Sequence, residues 1–157
     1  MGACLKSGSF DYQMEHAVFT YGTLQIPEIM LAVTGQTFRS QSAILPDFAR
    51  YSIRDKVYPA IVQAAGMSVS GILYSGIDHQ TLGLLDVFED ILYERRDVEV
   101  FTENTIRSAM TYVIADRYRQ CLSPELWDIE QFKVQYLENY LISCRKFRTH
   151  CEQWLNR

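Results

Sequence analysis

The sequence predicts one globular domain that mixes β-strands with α-helices, and three features predict it. Val57 to Val62 and Val69 to Tyr74 are short apolar, β-branched runs flanked by turn residues, as strands are. Tyr93 to Phe101 and Thr105 to Ala115 alternate on either side of Glu103-Asn104, the pattern of a hairpin. Phe132, Tyr136, Tyr140, Phe147, Cys151 and Trp154 recur every three or four residues, with one gap filled by Ser143-Cys144. They predict a long C-terminal helix, running to about Trp154, whose aromatic stripe packs on a core.

Taken in order, residues 1–15 lack apolar periodicity and read as a loose tail, leaving 16–157 as a single domain. Met1-Gly2-Ala3-Cys4 is close to an acylation signal, but Lys6 stands where the myristoylation pattern wants Ser or Thr. His16 to Tyr21 forms a strand that stops at Gly22, and a helix from Pro27 to Val33 follows, ended by Gly35. Phe38 to Ile53 makes one long bent strand or two, broken near Pro46-Asp47. Asp78 caps a helix that leads to Glu89. Ser123-Pro124-Glu125 offers one further helix start, and Asp128 with Gln131 offers another.

Composition narrows the partners. A net charge of −4 gives no electrostatic reason to expect nucleic acid or an anionic membrane. No apolar run approaches the length of a membrane span, and no secretory signal precedes the first strand, so the expected location is the cytoplasm. Cys4, Cys121, Cys144 and Cys151 show no paired spacing, and the histidines are scattered. Reduced thiols, no metal and no organic cofactor are therefore expected.

Two stretches carry candidate chemistry. Leu82, Leu85 and Glu89 fall on one face of the helix after Asp78, with Asp86 towards its edge. A carboxylate on an apolar face either pairs, here with Arg95 or Arg96, or is used. Partial burial would raise its pKa towards that of an acid/base working near neutral pH. The other stretch is Tyr21-Gly22-Thr23-Leu24, where a strand turns towards a helix. Such a junction is either ordinary or able to present consecutive N–H groups to an anion or a polarised carbonyl. No Gly-Lys-Ser/Thr follows it, so it is no P-loop, and no histidine lies near a Ser or Cys in the manner of a triad.

Tyr21-Gly22-Thr23-Leu24, Tyr58-Pro59-Ala60-Ile61, Val69 to Tyr74, Leu85 to Glu89, and Tyr93-Glu94-Arg95 with Val98 come in this order. Together they resemble the gamma-glutamylcyclotransferase-like family over roughly residues 16–115. Tyr112-Val113, Trp127 to Phe132 and the aromatic helix look closest to its plant-like branch of avirulence-induced proteins. The resemblance implies an α+β fold, a small mixed β-barrel flanked by helices. It implies release of 5-oxoproline from a gamma-glutamyl amide, with Glu89 as general acid/base and Tyr21, Gly22, Thr23 and Leu24 lining the pocket for the glutamyl part. The family often has Gly where this chain has Asp90, and a second acid there would raise the pKa of Glu89 further. Arg95 is expected to pair with a buried acid at the barrel edge. Removal of a gamma-glutamyl group from a specialised metabolite, or non-catalytic binding of a small molecule, are the alternatives.

Overall fold

The computed structural model describes residues 15–156, so the loose tail expected at residues 1–15 lies almost wholly outside them. Five strands close into a barrel: β1 (His16–Thr20), β2 (Arg39–Ser52), β3 (Pro59–Ile77), β4 (Tyr93–Phe101) and β5 (Ile106–Ile114). Their order around it is β1-β3-β2-β4-β5. Four neighbouring pairs are antiparallel, and β1 meets β5 in parallel through Val18 and Met110. Four helices accompany the barrel: α1 (Pro27–Thr34), α2 (His79–Glu89), α3 (Ile129–Gln135) and α4 (Leu137–Leu155).

Local signals place most of these elements. Pro27 opens α1, and Gly35 closes it at φ 72°, the left-handed conformation that glycine adopts without penalty. Asp78 Oδ1 accepts from Thr81 N at 2.7 Å and starts α2. Asp128 does the same for α3, accepting from Glu130 N and Gln131 N.

Three expectations need correction. Val57 to Val62 and Val69 to Tyr74 are not separate strands, because β3 runs unbroken through Gln63 to Ser68. Ala64, Ala65 and Gly66 are weak strand formers, but β2 pairs along both sides of them. The two strands bend together there: Asp47 takes φ 61°, Gly66 takes φ 83°, and Gly66 N donates to Asp47 Oδ1 at 2.9 Å. Ser123-Pro124-Glu125 starts no helix. Ser123 N donates to Ser52 O and Ser52 N to Glu125 O, so this segment's backbone is spent on the end of β2. The C-terminal helix is interrupted at Tyr136 (φ −128°, ψ −16°), which divides α3 from α4.

Side-chain alternation sorts the core into two parts. Phe19, Leu45, Ile61, Leu73, Val100 and Val113 pack together in one cluster. Residues of the other parity, among them Val18 and Tyr74, pack with Ile77, beyond a register shift, and with Ile29, Leu82, Leu85 and Phe132 of the helices. The expected aromatic stripe is only partly core: Phe132 and Cys144 are buried, whereas Tyr136 and Trp154 are exposed.

Candidate functional site

At the end of β1 the chain turns at Tyr21-Gly22 into a single 3-10 turn, Thr23–Gln25. Two donors hold the Tyr21 carbonyl, Arg50 Nη1 at 2.7 Å and Gln25 Nε2 at 2.9 Å. The turn's own bonds run from Gln25 N to Gly22 O and from Ile26 N to Thr23 O. These leave the N–H groups of Gly22, Thr23 and Leu24 outside the ladder, as at the start of any helical turn. A β-carbon on Gly22 would stand 3.0 Å from the Pro59 ring, so glycine is also what lets the turn approach β3. The Leu24 side chain is buried with the helices, and its carbonyl accepts from Tyr74 Oη at 2.9 Å. Only its backbone serves the turn's outer face.

Helix α2 delivers Glu89. Leu82 and Leu85 are fully buried, and one turn later Glu89 reaches the wall of a cavity of about 280 Å³. Tyr21, Gly22, Thr23 and Leu24 line the same cavity, so the five expected site residues come together. Tyr58, Pro59, Phe88, Tyr93, Tyr140 and Phe147 line it too. Tyr140 and Phe147 belong to the stripe expected to be core. A hydroxyl recurring in an apolar stripe was the available signal, since a buried tyrosine needs somewhere to put it.

Glu89 has no hydrogen bond or ion pair with any described residue. Arg95 Nη1 pairs instead with Asp86 Oδ2 at 2.7 Å, and Arg96 with Glu94 at 3.1 Å. Three of the surrounding tyrosines spend their hydroxyls elsewhere. Tyr21 donates to Tyr112 O at 2.6 Å, Tyr93 to Pro59 O at 2.7 Å, and Tyr112 to Asp86 Oδ1 at 2.7 Å. Desolvation in these surroundings lifts the Glu89 carboxyl from its ordinary value of 4.5 to about 8. Asp90 plays no part in that rise, contrary to expectation. Burial, seconded by the charge of Glu89, holds the Tyr21 and Tyr93 phenols well above 10, so both stay neutral. A carboxyl with such a value can take a proton and return it near neutral pH.

The family model described as gamma-glutamyl cyclotransferase, AIG2-like, matches residues 18–130. The chain belongs to that family. Among gamma-glutamyl cyclotransferase, AIG2-like relatives, it is 36% identical over 138 residues to AIG2-like protein D of Arabidopsis thaliana, covering 84% of this chain and 88% of that one. A putative gamma-glutamylcyclotransferase of Vibrio cholerae is 33% identical over 113 residues, covering 68% of this chain and 88% of that one. A solution structure from Arabidopsis thaliana superposes with a TM-score of 0.66 at 27% identity, covering 92% and 97% of the two chains. A structure titled gamma-glutamyl cyclotransferase shares the fold with a TM-score of 0.59 at 16% identity, covering 84% and 87%. The family's α+β barrel flanked by helices is thus the fold of this chain. Among the described residues no helix is long and apolar enough to cross a membrane. Nor could any group of His, Cys, Asp and Glu among them hold a metal ion.

The departure from the family's frequent glycine after the acid has a structural meaning. Asp90 caps α2 at φ 60°, ψ −161°, a region that only glycine enters freely. Asp90→Gly should therefore stabilise the fold by about 1 kcal/mol. That raises Tm by roughly 2–4 °C, measurable by scanning calorimetry.

Arg95 pairs with an acid, as expected, but Asp86 is 42% exposed rather than buried, and one guanidinium nitrogen makes the contact. An exposed pair of this kind is worth about 0.2–1 kcal/mol. Arg95→Lys should thus lower Tm by a few degrees at most and leave turnover intact. An inactive variant of normal Tm would place Arg95 on a substrate instead.

Proposed function

We propose that this chain is a cytoplasmic gamma-glutamyl cyclotransferase, releasing 5-oxoproline and a free amine from a gamma-glutamyl amide. The observation that carries the proposal is a carboxyl with a pKa near 8, unpaired among the described residues, sharing a cavity with a turn at which the N–H groups of Gly22, Thr23 and Leu24 have no backbone partner among them. The name of the Vibrio cholerae relative supports it. The free thiols of Cys121, Cys144 and Cys151 suit a reducing compartment.

The reaction needs little machinery. The substrate carries its own nucleophile, the α-amine, and a five-membered ring forms when that amine attacks the gamma carbonyl. Ionised Glu89 takes a proton from the α-ammonium. The N–H groups of Gly22, Thr23 and Leu24 receive the glutamyl carboxylate or the developing oxyanion. As the gamma C–N bond breaks, the carboxyl of Glu89 passes the proton to the leaving amine. The restored carboxylate takes the second proton, which the ring nitrogen sheds on becoming the lactam N–H, and gives it to the departed amine or to water. The enclosing tyrosines keep the glutamyl chain curled, removing rotational freedom before the chemistry. No covalent enzyme intermediate forms.

The test is mass-spectrometric detection of 5-oxoproline over gamma-glutamyl amino acids, gamma-glutamyl amines and glutathione. Binding without release from any of them would overturn the proposal and leave a binding protein.

A further inference from the structure

The charges around the cavity bear on which amine leaves. Both ionisable carboxyls that line it are acids of α2 and its cap, Glu89 and Asp90. Among the described residues no lysine, arginine or histidine lines it. Basic side chains adjacent to the lining residues are committed elsewhere. Arg50 holds the Tyr21 and Ser70 carbonyls, Arg95 holds Asp86, and Arg148 holds Glu152 Oε1 at 2.8 Å.

The remaining wall is largely aromatic. Phe88 of α2 and Phe147 of α4 meet edge to face, with ring centroids 5.3 Å apart. The Tyr58 and Tyr140 rings lie 6.4 Å apart. Of the hydroxyls, Tyr93 donates to Pro59 O, whereas Tyr140 accepts from Thr23 Oγ1 and keeps its own proton, a neutral donor in an otherwise aromatic wall.

A gamma-glutamyl compound brings one carboxylate of its own, and the turn at Gly22 to Leu24 has N–H groups to receive it. An amino-acid or peptide leaving group brings a second. That carboxylate would meet two acids and a set of rings with no cation among them, and a neutral phenol such as Tyr140 replaces only part of its water. A ring on the leaving group meets the opposite situation, since its faces and edges can pack against Phe88, Phe147 and Tyr140. A second ammonium group would find Asp90, but Asp90 is exposed, and attraction there is screened by water and salt. We infer that the leaving group is a carboxylate-free aromatic amine, so that the substrates are gamma-glutamyl arylalkylamides. This inference rests on the cyclotransferase reading above.

The full-length chain should be assayed for 5-oxoproline release from four conjugates. These are the gamma-glutamyl derivatives of benzylamine, of phenylalanine, of 1,4-diaminobutane and of methylamine. The benzylamine conjugate should exceed both the phenylalanine and the diaminobutane conjugates in kcat/KM by about tenfold or more, a ratio within reach of one ring contact and one unpaired charge. Equal or better use of the phenylalanine conjugate would overturn the inference while leaving the cyclotransferase reading in place, as would preference for the diamine. Release from none of the four would overturn the inference, and the cyclotransferase reading falls with it only when glutathione and the wider panel of gamma-glutamyl amino acids also release nothing.

Phe147→Leu separates the ring contact from general damage. It should raise KM for the benzylamine conjugate severalfold more than KM for the methylamine conjugate, which has no arm to place. An equal rise for both, or none for either, in a variant of normal Tm counts against a ring site at Phe147.

Discussion

Glu89→Gln is expected to lower 5-oxoproline release by a factor of roughly 10² to 10⁴, the usual worth of a positioned acid–base group. The amide has the shape of the carboxyl and cannot carry a proton. Stability should move the other way. Folding raises the Glu89 pKa from 4.5 to about 8, so the folded chain binds the extra proton between those values. The carboxyl's contribution to stability is therefore present in acid and fades as pH rises from about 4.5 to about 8. Gln never ionises, and the Tm advantage of the variant over the parent should widen across that window. In the parent, kcat/KM should climb with pH and level off above about 8, as the free enzyme's base becomes ionised. Melting temperature and product release measured on one sample decide the matter. A destabilised but fully active Glu89→Gln would remove the residue from the chemistry.

Gly71→Ala should be the most damaging single-methyl substitution among the described glycines. Gly71 sits in β3 opposite Ala43, and a β-carbon there would lie 2.1 Å from the backbone oxygen of Thr20 and 2.8 Å from the Phe19 ring. A carbonyl in the middle of a ladder cannot swing aside as a flexible side chain can. Strand β1 must shift, and Thr20 is the residue before Tyr21. A loss of about 3 kcal/mol or more follows from overpacking of this severity, equivalent to roughly 6–12 °C in Tm. Whatever remains folded should also lose turnover, because the displaced strand carries the turn at Gly22. Gly83→Ala is the natural control. Gly83 lies in α2 with open space where its β-carbon would go. There the methyl group should stabilise by about 0.5–1 kcal/mol through helix propensity.

What was legible in the sequence was what neighbours along the chain decide. Asp78 and Asp128 cap their helices because a short acceptor sits beside unpaired N–H groups. Gly35 ends α1, and Glu103-Asn104 separates β4 from β5, for equally local reasons. Gln63 to Ser68 could not be read, since only pairing with β2 keeps these weak strand formers extended. The failed helix at Ser123 has the same origin, its backbone being claimed by Ser52.

The site divides along the same line. The stripe of Leu82, Leu85 and Glu89 is local geometry, and the turn at Gly22 follows from a glycine after a strand. Periodicity says that Tyr140 and Phe147 face inward but not that they face a void. Nor can any spacing tell that Arg95 chooses Asp86 over Glu89, leaving the latter unpaired among the described residues.

The parallel seam between β1 and β5 also governs when the pocket can form. Tyr21 reaches the Tyr112 carbonyl across 91 residues, and Thr23 reaches Tyr140 across 117. Contacts of such range are slow to form, because the intervening chain must surrender its freedom before they return anything. On the ribosome, at roughly 5–20 residues per second, the first strand therefore waits several seconds for the partner that closes its open edge. Until α4 emerges, the pocket lacks a wall. A chain that stops before Tyr140 and Phe147 lacks two residues of the cavity wall, so the pocket is completed by α4 and not by degrees.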